Sequence, residues 1–298
     1  MVFTSRRLAP LVAAVLIAAC GGSDDAVTGS PETATTAPGA VELVADQPYT
    51  SSQLLDIYVP TDGSDWPVVV YLHGGVNHPD ARKAVAATGE ALAAHGVLTY
   101  VPTWNGLGPA GGSQDTICAL AYARATAADH GGDPTRVVPA GYSAGGYSAV
   151  IHALLGGEPP LPVDDCVVDP TIPAPTVVAG GGTPFFVTEW AREGVFTQSE
   201  WTDLTPTQID EFDPYLAVEA GPNPELRIVL FVGERDVGGT QFFPITESTL
   251  EFDAAARAAG YDVELTVVPG GHLPPEEEGT EQFETWVDTL AETAKGSR

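Results

Sequence analysis

Positive charge is scarce in this chain. Twelve Lys and Arg stand against 40 Asp and Glu, for a formal net charge of −28. Such a chain repels nucleic acid and anionic lipid head groups, so neither is an expected partner. Cysteine is equally rare, with three in 298 residues. No Cys/His cluster has metal-ligand spacing, and no Gly-x-Gly-x-x-Gly follows a strand-like run where a dinucleotide would sit. The expectation is therefore no metal and no cofactor. Internal repeats are absent. The apolar run "LAPLVAAVLIAA" spans about a dozen residues, short of the ~20 that a bilayer-spanning helix needs.

That run has the form of a secretory signal peptide over residues 1–19, with Arg6 and Arg7 as its positive leading region. It ends in "IAAC". Small residues before a cysteine resemble a bacterial lipobox, which would put a lipid on Cys20; an ordinary secretory peptide with an incidental cysteine is the alternative. Residues 21–40 are rich in Gly, Ser, Thr, Pro and Asp. They carry too little apolar surface to offset ordering entropy and read as a linker. The expectation is an exported, envelope-anchored protein, or otherwise a secreted one, touching the membrane only through its anchor. Export leaves Cys118 and Cys166 as an even pair in an oxidising compartment, where they form a disulfide or remain two buried thiols.

Residues 41–298 suffice for one α/β domain. β-branched, apolar runs bounded by Pro and Gly alternate with helical patterns: "QLLDIYVP", "WPVVVYL", "VLTYVP", "TRVVPAG", "APTVVAGG", "LRIVLFVG" and "DVELTVVPGG" read as strands. In the last helix Phe283, Trp286, Val287, Leu290, Ala291 and Ala294 share one face. Alternation of this kind predicts a mostly parallel sheet covered on both faces, with ligands at the carboxyl ends of the strands. Residues 157–222 are less regular and read as a cap-like insertion. Oligomeric state has no signature.

Four groups of residues with chemical potential each follow a predicted strand. Gly141-Tyr142-Ser143-Ala144-Gly145 sits between strand and helix. There a serine is either part of a plain glycine turn or a nucleophile held on a strained elbow. His73-Gly74-Gly75 offers backbone N–H groups that, with the N–H of Ala144, could stabilise an oxyanion. Asp236 could orient a histidine, although 40 acidic residues make a solvated loop aspartate the plain alternative. Of six histidines, His272 is the one that follows a strand and comes after both Ser143 and Asp236. Tyr142, Trp104 and His78 are candidate walls of a substrate pocket, with ordinary core packing as the competing role for the aromatics.

Order favours the nucleophile. Ser143, Asp236, His272, with His-Gly-Gly upstream, follows the nucleophile–acid–base order of the α/β-hydrolases. The segments "LDIYVP…WPVVVYLHGG", "GGDPTRVVPAGYSAGG", "FDPYLAVEAGPNPELRIVLFVGERD" and "PGGH" resemble the α/β-hydrolase esterases of the carboxylesterase and hormone-sensitive-lipase-like kind. The resemblance implies an α/β-hydrolase fold, a Ser-Asp-His triad, a backbone oxyanion hole and a small ester, or an amide or aryl formamide, as substrate. A non-catalytic binding protein on the same scaffold is the alternative of another class. Three departures concern the pocket: Val76 stands where a third glycine is usual, "TWNGLGPAGG" replaces a Tyr-Arg-x-x-Pro segment, and Val237-Gly238-Gly239 follows the acid.

Overall fold

The computed structural model describes residues 40–75, 80–106, 109–194, 201, 203–237, 244–272 and 279–297. The expected signal peptide and linker, with Cys20, and His78 lie outside the described residues.

Among the described residues eight strands form one sheet: β1 (Val41–Pro48), β2 (Leu54–Pro60), β3 (Trp66–Leu72), β4 (Leu98–Pro102), β5 (Gly132–Tyr142), β6 (Val177–Gly181), β7 (Arg227–Gly233) and β8 (Asp262–Val268). Their order is β1-β2-β4-β3-β5-β6-β7-β8. β1–β2 and β2–β4 are antiparallel; the pairings from β4 through β3 to β8 are parallel.

The helices are α1 (Ala81–Ala84), α2 (Ala86–Ala94), α3 (Pro109–Thr126), α4 (Ala144–Leu154), α5 (Val187–Arg192), α6 (Pro206–Asp210), α7 (Pro214–Ala220), α8 (Ile245–Ala258) and α9 (Glu281–Gly296). The two-residue period of the central strands sorts their side chains to opposite faces. Val68, Val70, Ile228 and Leu230 pack in one core with Leu120, Val150 and Phe252 of α3, α4 and α8. Val69, Tyr71, Val229 and Phe231 pack in the other with Leu92 of α2 and the apolar face of α9. That face comprises the six residues picked out by helical spacing, and all are buried.

One reading needs correction. Residues 157–222 are not one insertion, because β6 pairs with both β5 and β7 in the middle of the sheet. The irregular run before β6 is held where Cys166 bridges Thr50 and where Val167 N–H donates to the Tyr49 carbonyl at 3.1 Å. The stretch after β6 carries α5, α6 and α7. Cys118 on α3 and Cys166 form a disulfide, Cα to Cα 5.0 Å, closing a span of 48 residues. The stretch "ARKAVAATGEALAAHG" forms two helices, α1 and α2, broken at Val85.

Candidate active site

The carboxyl end of β5 turns into α4 at Ser143, which has φ 53° and ψ −120°. A side chain at positive φ stores strain on the order of 1–3 kcal/mol, which surrounding contacts must hold. They do so on three sides. Ser143 N–H donates to the Gly181 carbonyl at 2.7 Å, and Tyr147 N–H donates to the Ser143 carbonyl at 3.0 Å. A Cβ on Gly145 would lie 1.9 Å from the Leu72 carbonyl oxygen, so only glycine lets α4 pack this closely on the end of β3.

The same closeness brings the loop after β3 to the serine. A Cβ on Gly74 would stand 3.2 Å from Ser143 Cβ and 3.9 Å from its Oγ. Gly75 has φ 81°, a conformation that favours glycine. Ala144 opens α4, and the first amides of a helix have no acceptor within it. Gly74 and Ala144 thus border Ser143 from two elements, and Gly75 is the next residue of the β3 loop.

Asp236 and His272 follow β7 and β8. His272 Nδ1 lies 2.8 and 3.0 Å from the two Asp236 carboxylate oxygens. The carboxylate is fully buried, while the imidazole keeps about a fifth of its surface exposed. Backbone bonds join the two loops: Glu234 N–H to the Val268 carbonyl at 2.8 Å and Arg235 N–H to that of Gly270 at 2.9 Å. A buried carboxylate beside Nδ1 favours the tautomer with its proton on Nδ1, leaving Nε2 as an acceptor.

The two halves meet through Tyr142. Its ring is 5.1 Å from that of His272 and 6.1 Å from that of Trp286 on α9. Tyr142, the neighbour of Ser143, is therefore a buried backing for the histidine and not an open pocket wall. Trp104 likewise is fully buried, its Nε1–H donating to the His73 carbonyl at 3.2 Å. Core packing outweighed recognition for both aromatics.

Two contributors escaped the sequence reading. Gly182, at φ 52°, would carry a Cβ 3.0 Å from His272 Cε1 and 2.9 Å from the Tyr142 hydroxyl oxygen, so the Gly180-Gly181-Gly182 run clears space for the imidazole. Its signal was present: three glycines in a row at the end of a strand. Thr246, in the first turn of α8, accepts the Asp236 N–H at 2.8 Å and donates to the Gly233 carbonyl at 2.6 Å. Nothing in the order of residues marks it.

Between α3 and α4 lies a buried polar group apart from this site. His152 Nδ1 is 2.7 Å from the Ser148 carbonyl oxygen and Nε2 is 2.8 Å from Ser113 Oγ. Burial pushes this imidazole down to about 4, so it is neutral and serves packing. No group of His, Cys, Asp and Glu among the described residues could hold a metal ion, and no described helix is long and apolar enough to cross a membrane.

Residues 55–168 match the family model BD-FAE. In fold, the chain is similar to esterase B of Lactobacillus rhamnosis, with a TM-score of 0.68 at 18% identity over 86% of this chain and 87% of that one. Thermogutta terrifontis esterase 2, solved phosphoramylated by tabun, aligns with a TM-score of 0.63 at 19% identity over 87% and 95%. The chain has an α/β-hydrolase fold. In sequence it is similar to carboxylesterase NlhH of Mycobacterium tuberculosis, 28% identical over 233 residues, covering 70% of this chain and 66% of that protein. The chain therefore resembles esterases both in sequence and in fold.

Proposed function

We propose that the chain is a serine hydrolase of small carboxylic esters. The observation that carries this reading is the buried Asp236 carboxylate on His272 Nδ1, at the same sheet end as a serine held at positive φ. In the mechanism, Ser143 Oγ attacks the ester carbonyl while its proton passes to His272 Nε2. Asp236 stabilises the imidazolium, and the amides of Gly74, Gly75 and Ala144 receive the oxyanion. Collapse expels the alcohol, which takes the proton from Nε2. Water then adds to the acyl-enzyme by the same route and releases the carboxylic acid and free Ser143. The test is a hydrolysis screen over p-nitrophenyl acyl esters of increasing chain length, acetylated sugars and aryl formamides. Turnover of short acyl esters is expected; turnover of formamides alone would reassign the enzyme as an amidase, and none at all would leave a binding protein.

The proposal includes export with a lipid on Cys20, and the Cys118–Cys166 disulfide supports an oxidising compartment. Cys20→Ser is expected to move the protein from the membrane fraction to the soluble fraction at unchanged specific activity. A wild-type protein found wholly soluble would contradict the anchor and leave the chemistry untouched.

A further inference from the structure

We infer that Trp104 is a positioning residue that sets the direction of the Gly74 N–H, and that Asp115 holds it in place through Asn105. This inference rests on the hydrolase reading, in which that N–H receives the oxyanion. A trans peptide is planar, and its C=O and N–H point to opposite sides. The carbonyl of His73 and the N–H of Gly74 belong to one such plane. The Trp104 indole N–H holds that carbonyl at 3.2 Å from within the core. It thereby fixes where the Gly74 N–H aims, and Gly74 packs against Ser143.

The tryptophan is itself held. It lies in the short segment Thr103-Trp104-Asn105 that follows β4, and every residue of that segment is tied. The Thr103 carbonyl accepts from the Tyr49 hydroxyl at 2.5 Å, and Thr103 Oγ1 accepts from Arg82 at 3.1 Å. Asp115 Oδ2 on α3 accepts both the Asn105 N–H, at 2.9 Å, and the Asn105 side-chain amide, at 2.6 Å. Burial raises the Asp115 carboxyl to about 7, with Asp165 contributing. A buried acid in so costly a place is matched by two donors that a hydrophobic residue could not receive. The ring of Trp104 also contacts that of His73, centroids 5.8 Å apart. This segment, "TWNG", is one of the places where the chain departs from the esterase pattern.

An oxyanion donor acts on the transition state and little on bound substrate, so its misorientation lowers kcat and spares KM. Removing such a donor outright costs about 10²–10³-fold in kcat; loosening one should cost less, on the order of 10-fold. The experiment compares wild type, Trp104→Phe, Asp115→Ala and Asp115→Asn on p-nitrophenyl acetate, with inhibition by a trifluoromethyl ketone as a second readout. Trp104→Phe and Asp115→Ala are expected to lose on the order of 10-fold in kcat, with KM within about twofold and ketone affinity weakened in parallel. Asp115→Asn, which keeps an acceptor for Asn105, should restore kcat. If Trp104→Phe does not fold, Asp115→Ala carries the test with the indole in place. Variants that lose thermal stability yet keep wild-type kcat and ketone affinity overturn the inference and leave the hydrolase intact. A wild type that turns over no ester overturns both.

Discussion

Ser143→Ala is expected to abolish ester turnover, lowering kcat by on the order of 10⁴-fold or more while the fold persists. The expectation follows from what the serine does in its place. Its hydroxyl forms the covalent bond, and no neighbouring group can replace it; what remains is oxyanion stabilisation alone. His272→Ala should be comparably severe. Asp236→Ala should be the mildest of the three, because His272 would keep its place against Tyr142 while losing its charge partner. Ser143→Gly separates chemistry from stability. It should be as inactive as the alanine variant, yet unfold at a higher temperature, since glycine at φ 53° relieves a strain on the order of 1–3 kcal/mol. Steady-state kinetics and thermal melts of these four variants check the set. An Asp236→Ala enzyme of wild-type rate would remove that residue from the mechanism.

Loss of the Cys118–Cys166 bridge is expected to cost about 3–4 kcal/mol, because it closes a span of 48 residues in the unfolded chain. For a domain of this size each kcal/mol lowers the melting temperature by about 2–4 °C, so a fall of roughly 10 °C is anticipated. The structural cost is concentrated. The bridge ties α3 to the irregular run before β6, a run whose other backbone anchors include the short contact at Tyr49 and Thr50. It lies one helical turn from Asp115, so activity near the lowered melting temperature should decline before the sheet unfolds. Double replacement with alanine, melted beside the oxidised wild type, measures the effect. Alkylation of both cysteines in denatured, unreduced protein would show that the bridge is absent.

Much of this molecule was legible in its sequence, for identifiable reasons. The strands β2 to β7 announce themselves because their interiors are covered, so apolar and β-branched residues run together between Pro and Gly; β8 is an edge strand with only Val263 buried, yet its run is still β-branched. β1 leaves no such signal: it is an edge strand in which Glu42, Asp46 and Gln47 interrupt the apolar residues and no residue is buried. Ser143, Asp236 and His272 stand out as candidates because topology places each just past a strand, and because His is rare in the chain. The roles of Tyr142 and Trp104 were not, since an aromatic beside a reactive residue reads the same whether it lines a pocket or backs a ring. The extent of the cap-like insertion is not legible because both flanks of β6 are irregular, although "APTVVAGG" itself reads as a strand. Thr246 and Asn105 act through hydrogen bonds to residues ten or more positions away, which leave no local pattern to read.

The most direct test of the central claim is covalent labelling with a fluorophosphonate, followed by peptide mapping. The account predicts one adduct, on Ser143, formed rapidly by the wild type and lost or greatly slowed in His272→Ala. An unlabelled protein, or an adduct on another residue that survives in Ser143→Ala, would contradict it.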